Sequence, residues 1–158
     1  MEAANERVVR CLVEEVVNRG ATDLLPQLVG PDHVGHDPLG DHYGPEGVRI
    51  GVAELRSAFP DLRVTIEDLL AAGDRVARRF TLRGTHRGPF MGFAATGRAV
   101  SAPGLAIDRL ADGKLAESWV CVDALGLLRQ LGAVPTLRSG TEGSSPGAPG
   151  ERRRARPE

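Results

Sequence analysis

The chain has 158 residues, of which 41% are hydrophobic and 26% charged, and its formal net charge is −1. This length and balance predict one domain with a substantial core, and they argue against a protein that binds nucleic acid or a membrane surface. The two cysteines, Cys11 and Cys121, are far apart, and no apolar run reaches the roughly 20 residues that cross a bilayer, so we expect a cytoplasmic protein without disulfides or zinc.

The first part of the chain is predicted to be helical. Apolar residues recur there at helical spacing in three segments, which cover residues 3–19, 23–29 and 45–59. Gly20 is expected to end the first helix and Pro60 the third. The intervening residues 30–44 are rich in Gly, Pro, His and Asp, a composition typical of a loop.

After Pro60 the spacing of apolar residues changes to the alternation that is typical of β-strands. Strands are predicted over residues 62–66, 76–84, 98–110 and 115–122. The pair Asp112 and Gly113 between the last two is a strong hairpin signal. Asp123 is then expected to cap a short helix over residues 124–131. Helices followed by a run of strands predict an α+β fold.

The end of the chain has a different composition. Residues 138–158 consist mainly of Gly, Ser, Pro, Glu and Arg and contain no large apolar side chain. Such a segment cannot bury enough surface to offset the entropy lost on ordering. We therefore predict a folded domain over residues 1–137 and a disordered tail over residues 138–158.

Seven short motifs occur in an order and spacing that resemble one protein family. They lie at residues 44–47, 58–62, 73–76, 84–88, 96–98, 112–114 and 128–132. Through them most of the chain resembles the SnoaL-like polyketide cyclases. The resemblance implies an α+β cone, in which N-terminal helices pack on a curved antiparallel β-sheet around one deep pocket. It also implies a homodimer or higher homo-oligomer that uses no metal and no organic cofactor.

The best-known members of this family close the last ring of an aromatic polyketide by an intramolecular aldol condensation. The resemblance therefore implies an enzyme of secondary metabolism, as in antibiotic biosynthesis, that acts on a small apolar polyketide-like substrate as a lyase or isomerase. Those cyclases use an acid/base aspartate and an assisting histidine, whose positions are held here by Val120 and Ala106. Neither side chain can transfer a proton. Two alternatives thus stay open: a hydroxylase component acting on a polyketide ring, and a non-catalytic small-molecule-binding domain.

Three other side chains are predicted to carry the chemistry. By strand alternation Asp108 shares a face with Ala106, so it is our candidate general acid or base; the alternative is an ion pair with Arg78 or Arg79. Arg79 occupies a position that is often arginine in relatives and is predicted to hold a substrate carbonyl or enolate, unless it extends to the rim. His36 matches a histidine often found at the pocket mouth of relatives, which implies a substrate contact or proton shuttle; the alternative is a plain loop histidine.

A further set of residues is predicted to contact the substrate. They are Tyr43, Phe59, His86, Phe90, Met91, Ala106 and Val120. For Phe59, Phe90 and Met91 ordinary core packing is the alternative. For His86 the alternative is a structural role in holding its turn.

One segment has the composition of a metal site. It contains His33, His36, Asp37, Asp41 and His42. Two imidazoles and a carboxylate at such spacing can bind a metal ion. A loop rich in Gly and Pro supplies no fixed ligand geometry, however, so we predict no metal here.

Overall fold

The computed structural model describes residues 1–134. The predicted tail over residues 138–158 lies outside these described residues, and the domain boundary at residue 137 stays a prediction. No helix within residues 1–134 is long and apolar enough to cross a bilayer.

Helices occupy the N-terminal part of the chain, as predicted. They are α1 (Glu2–Cys11), the π-helix that continues it (Leu12–Val17), a 3-10 turn (Thr22–Leu24), α2 (Leu25–Leu28) and α3 (Gly44–Ala58). Gly20 follows the first helix with a φ of 76°, a left-handed conformation that glycine adopts without steric cost. The predicted second helix exists, but its first residues form the 3-10 turn and its α-helical part is short.

Six strands form one open sheet. They are β1 (Val29–Asp37), β2 (Gly40–Tyr43), β3 (Arg63–Ala72), β4 (Arg75–Thr85), β5 (Ala99–Ala111) and β6 (Lys114–Val122). Their order in the sheet is β2-β1-β6-β5-β4-β3. Neighbouring strands are antiparallel except β1 and β6, which run parallel. The α+β prediction is confirmed, with the correction that the sheet is mixed rather than wholly antiparallel.

The prediction of a loop over residues 30–44 was wrong. This segment supplies β1 and β2, whose register pairs His36 with Asp41. β1 also pairs with β6, so it has a strand on each side. Backbone pairing with a strand distant in sequence thus overrides a local composition that favours turns.

Asn18 joins the first helix to the sheet edge formed by β3. Its Oδ1 accepts a hydrogen bond from the Val64 N–H at 2.7 Å, and its Nδ2 donates to the Val64 carbonyl at 2.9 Å. The backbone N–H of Asn18 donates to the carbonyl of Val13, which completes a π-type ring. One residue therefore ends the π-helix and satisfies both backbone groups of Val64 on an edge strand.

Alternation along β4, β5 and β6 gives the sheet a buried inner face and an exposed outer face. The inner face and the helices enclose two hydrophobic clusters. The first cluster includes Phe59, Phe80, Leu82, Ala102, Ala106 and Leu127, and the second includes Val9, Leu12, Leu25, Val52, Val76 and Leu115. Gly104 lies beneath the Phe80 ring, which occupies the space that a Cβ would need.

The helix after β6, α4 (Ala124–Gln130), depends on the predicted cap. The Asp123 side chain accepts a hydrogen bond from the Gly126 N–H at 2.8 Å and so satisfies a free donor of the first turn. We predict that Asp123→Ala lowers the free energy of unfolding by about 1 kcal/mol in urea denaturation. Asp123→Asn keeps an acceptor and is the matched control. Equal losses for the two variants would contradict the capping role.

Candidate active site

Three adjacent strands each carry a polar side chain on the buried inner face, at the same or the neighbouring inner position of the register. They are Arg78 on β4, Asp108 on β5 and Ser118 on β6. Asp108 pairs directly with Ser118 in the register of β5 and β6. Along these strands, the polar side chains lie between the two hydrophobic clusters: the inner-face residues on one side pack with the first cluster, and those on the other side pack with the second. These three residues and His33, described below, are called the polar layer.

Asp108 has no exposed surface and is held from two sides. Its Oδ1 accepts a hydrogen bond from Ser118 Oγ at 2.7 Å. Its Oδ2 lies 3.0 Å from Nε of Arg78, whose side chain is only 9% exposed. The Nε–H is not aligned with Oδ2 as a hydrogen bond requires, so this contact is a buried ion pair without a formed hydrogen bond. The alternative foreseen for Asp108, pairing with an arginine on the neighbouring strand, thus exists, and the partner is Arg78.

His33 extends the polar layer from β1. Its ring is 2% exposed, and its Nε2 lies 3.2 Å from Ser118 Oγ. The hydroxyl of Ser118 has one proton, which it donates to Asp108, so Nε2 of His33 must be the donor to Ser118. The Nδ1 atom is then an unprotonated acceptor, and it has no hydrogen-bond partner among residues 1–134. The pKa of His33 is lowered to about 4, mainly because the ring is buried and secondly because His42 is nearby, so its imidazole is neutral near pH 7.

Arg79 and His36 lie on the outer face of the sheet, away from the polar layer. Arg79 is adjacent to Arg78 and therefore points the other way, where its Nε contacts Asp68 Oδ2 at 2.6 Å. Nδ1 of His36 lies 2.8 Å from Asp41 Oδ1, and its ring stacks on that of Trp119. The structure therefore does not bring Arg79 or His36 together with Asp108.

His36 has a second carboxylate partner on β6. Its Nε2 lies 3.2 Å from Glu117 Oε1, and Glu117 also contacts Arg109. The hydrogen bond with Asp41 is the main cause of the raised pKa of His36, and the hydrogen bond with Glu117 raises it further. The hydrogen bond with His36 is also the main cause of the lowered pKa of Glu117.

The residues predicted to contact substrate are dispersed. Phe59 is fully buried in the first cluster, with its ring centroid 5.5 Å from that of His86 and 5.2 Å from that of Phe90. Nδ1 of His86 accepts a hydrogen bond from the backbone of Thr96, which matches the structural alternative foreseen for this histidine. Tyr43, by contrast, is 65% exposed.

Three further substrate candidates lie elsewhere. Met91 is 40% exposed, in the turn between Phe90 and Phe93. Ala106 and Val120 are directly paired on the inner face, one inner position away from Asp108 and Ser118. Of all the predicted contacts, these two lie nearest to the polar layer in the strand register.

Two cavities accompany these groups. One, of about 580 Å³, is a groove on the outer face beside Leu105, Ile107 and Trp119. The predicted site residues His36, Ala106 and Val120 also line it. The other, of about 320 Å³, lies between the first helix and β3 and is lined in part by Arg10 and Arg63. Neither cavity is lined by the polar layer. Because Asp108 has no exposed surface, a substrate reaches it only when the side chains that cover it move.

The His/Asp segment over residues 33–42 is divided between the two sheet faces. His36 and Asp41 are on the outer face, whereas the ring of His42 covers Gly35 and lies 5.7 Å from the ring of His33. Across residues 1–134, no three His, Cys, Asp or Glu side chains are grouped as metal ligands.

Sequence reasoning missed two members of the polar layer as catalytic candidates. Ser118 lies two residues before Val120, so alternation places it on the pocket face and could have identified it. His33 could not be found in this way, because its neighbourhood depends on the pairing of β1 with β6.

The raised pKa of His36, on the outer face, predicts a contribution to stability that depends on pH. Because this pKa is raised in the folded protein, the contribution of His36 to the free energy of unfolding is complete below the unfolded-state pKa of 6.5 and is lost as pH rises through the folded-state pKa. Glu117, with a lowered pKa, contributes above its unfolded value of 4.5 and loses that contribution as pH falls through its folded pKa. We predict that His36→Gln lowers the melting temperature more at about pH 5.5 than at about pH 8.5.

Arg79→Gln on the same face is the matched control for this measurement, because arginine does not titrate in this range. Its effect on the melting temperature should be similar at both pH values. An effect of His36→Gln that grows as pH rises would contradict the assigned contacts.

Comparison with known proteins identifies relatives over most of the chain. The family model described as SnoaL-like polyketide cyclase matches residues 7–131. The aklanonic acid methyl ester cyclase DauD of Streptomyces sp. (strain C5) is 34% identical over 93% of this chain and 91% of its own. The nogalonic acid methyl ester cyclase of Streptomyces nogalater is 30% identical over 73% of this chain and 88% of its own.

Solved structures agree with this relationship. TsrD from Streptomyces laurentii superposes with a TM-score of 0.78 at 31% identity, covering 85% of this chain and 98% of its own. AclR from Streptomyces galilaeus, for which hydroxylase activity has been suggested, superposes with a TM-score of 0.76 at 29% identity, covering 88% of this chain and 91% of its own. The chain therefore belongs to the SnoaL-like polyketide cyclase family.

Proposed function

We propose that this protein closes a ring of a polyketide ester by an intramolecular aldol-type reaction, with Asp108 as the group that takes up and returns the proton. The observation that carries the proposal is a buried carboxylate beside a buried guanidinium on the inner face of the sheet. Two relatives at 30% identity or more are named as cyclases of polyketide methyl esters, which supports a substrate of that class.

The proposed chemistry needs few groups. A proton leaves a carbon between two carbonyls, the enolate attacks a second carbonyl within the same molecule, and the new alkoxide is protonated. Asp108 supplies the proton acceptor and donor. Arg78, rather than Arg79, is the cation placed to compensate the charge of Asp108, because it lies on the same face with its Nε 3.0 Å from the carboxylate.

The two positions that the resemblance assigns to the family's acid/base pair are apolar in this chain. Ala106 and Val120 lie side by side on the inner face, next to Asp108 and Ser118 along their strands. In the proposed mechanism the proton-transfer group has moved by one inner-face position, which is a distance of roughly 7 Å along the strand. Ala106 and Val120 then form part of the hydrocarbon surface against which the substrate lies.

We also propose that the protein acts in the cytoplasm as a homodimer or larger homo-oligomer. The apolar side chains of Leu105, Ile107 and Trp119 are exposed together on the outer face. A contiguous apolar surface of this kind supports contact with another copy.

A conversion assay with two variants tests the role of Asp108. Purified protein is incubated with aklanonic acid methyl ester, and the product is followed by chromatography and mass spectrometry. Ring closure leaves the mass unchanged. We predict that Asp108→Asn lowers kcat/KM by about 100-fold or more, because a general acid/base group is lost. It should also destabilise the fold by about 3–5 kcal/mol, because the Arg78 charge is left buried without its partner.

The double variant Arg78→Gln/Asp108→Asn separates catalysis from stability. Removing both charges leaves no unpaired ion in the core, so much of the lost stability should return while activity stays low. Near wild-type activity of this double variant would overturn the proposal.

A hydroxylase component is the second candidate, and the similarity to AclR supports it. This function requires oxygen consumption with a partner reductase and a product that has gained an oxygen atom. The same assay distinguishes the two, since cyclisation consumes no oxygen and conserves mass.

A further inference from the structure

We infer that Asp108 exchanges its proton with the substrate through Ser118 and His33, so that Nδ1 of His33 is the atom that meets the substrate. The inference rests on the proposed cyclisation and assigns its proton path. Three consecutive contacts carry it: Arg78 to Asp108, Asp108 to Ser118, and Ser118 to His33.

The buried atoms of the polar layer that lack hydrogen-bond partners point to His33. Within residues 1–134 these atoms are Nε of Arg78, Oδ2 of Asp108 and Nδ1 of His33. The first two lie 3.0 Å apart and compensate each other by charge. Nδ1 of His33 is then the one atom of the three that has neither a hydrogen-bond donor nor a compensating charge beside it. Leaving a buried acceptor unpaired costs free energy unless a ligand supplies a donor.

The position of Asp108 also favours an indirect route. One of its oxygens is occupied by Ser118, the other faces the Arg78 guanidinium, and the residue has no exposed surface. His33 lies at one end of the layer, on the strand next to the edge strand β2. Its ring is 5.7 Å from that of His42, whose side chain is 27% exposed. A substrate that enters beneath the β1–β2 hairpin therefore meets His33 before Asp108.

The relay balances without another reactant. The substrate C–H bond breaks, its electron pair stays on the substrate as the enolate, and its proton bonds to Nδ1 of His33. At the same time the Nε2 proton moves to Ser118 Oγ, and the Ser118 proton moves to Oδ1 of Asp108. Enolate attack forms the new carbon–carbon bond, and reversal of the three transfers protonates the alkoxide and restores the carboxylate.

The neutral state of His33 suits this role. Burial and the neighbouring His42 hold the pKa of His33 at about 4, so an imidazolium does not accumulate in the site. The histidine passes a proton on as it receives one and is uncharged before and after. The charge that changes is that of Asp108, next to the permanent charge of Arg78.

Kinetics of Ser118 variants test the relay. Ser118→Ala should lower kcat for aklanonic acid methyl ester by about 100-fold or more, because the hydroxyl between His33 and Asp108 is lost. Ser118→Thr keeps a hydroxyl and should recover most of the activity. Ser101→Ala, an exposed serine on β5, is the matched control and should retain wild-type activity.

The solvent isotope effect separates a relay from a structural role. Several protons move together in the wild type, so kcat should fall in D₂O with a curved dependence on deuterium fraction. Ser118→Ala should show a smaller and linear dependence. Wild-type kcat and an unchanged isotope effect in Ser118→Ala would overturn the relay.

Nitrogen NMR of histidine-labelled wild-type protein tests the same path without turnover. Near pH 7 the His33 ring should be neutral, with its proton on Nε2 and none on Nδ1. A proton on Nδ1, or a charged ring, would overturn the relay. If the wild type fails to convert the ester while His33 shows the expected tautomer, the proposed function fails and the hydrogen-bond path is retained.

Discussion

The buried ion pair between Arg78 and Asp108 is the constraint on which the rest of the structure depends. Each charge would cost several kcal/mol in the core without the other, and each is almost completely shielded from water. Ser118 satisfies one carboxylate oxygen, and the guanidinium lies 5.6 Å above the Phe80 ring. The fold tolerates this polar layer because its members are held together by four adjacent strands.

The ion pair can form only when β4 and β5 are paired in the correct register, so the geometry of the site depends on that register. A slip of one residue between β4 and β5 would turn one partner outward and leave the other charge alone in the core. If β4 is the strand that turns, Arg79 also faces inward, away from Asp68. The two hydrophobic clusters on either side of the layer fix the register, because each strand contributes apolar residues to both. Packing of the apolar residues thereby holds Arg78 Nε and Asp108 Oδ2 3.0 Å apart.

The two sheet faces consequently carry different chemistry. The inner face holds a neutral histidine, a hydroxyl and a compensated carboxylate, shielded from solvent. The outer face holds His36 between two carboxylates, with a raised pKa, next to an apolar groove. We assign proton transfer to the inner face because charge stabilisation there is not weakened by water.

Most of the fold could be predicted from the sequence because its signals are local. Helical spacing, strand alternation, the Asp112–Gly113 hairpin and the Asp123 cap each depend on a few neighbouring residues, and the structure has all of them. The β1–β2 hairpin could not be predicted, because its stability comes from pairing with β6, far along the chain.

The candidate site was only partly predictable. Alternation along one strand predicts that Asp108 lies on the inner face, as it does. Alternation also shows that Arg78 and Arg79 face opposite ways, and Arg78 shares its face with the buried apolar residues of β4, so the inward arginine could have been chosen from the sequence. Its pairing with Asp108 could not, because β4 and β5 are joined by the long segment 86–98 and no tight turn fixes their register. His33 was missed because its contact with Ser118 joins two elements that only the folded sheet brings together.

A crystal structure of the protein with its cyclised product bound would test the central claim most directly. We predict that the new hydroxyl of the product lies within about 3.2 Å of His33 Nδ1, with the ring system against Ala106 and Val120 on the inner face. A product bound only in the outer groove beside Trp119, with the polar layer still closed, would contradict the account.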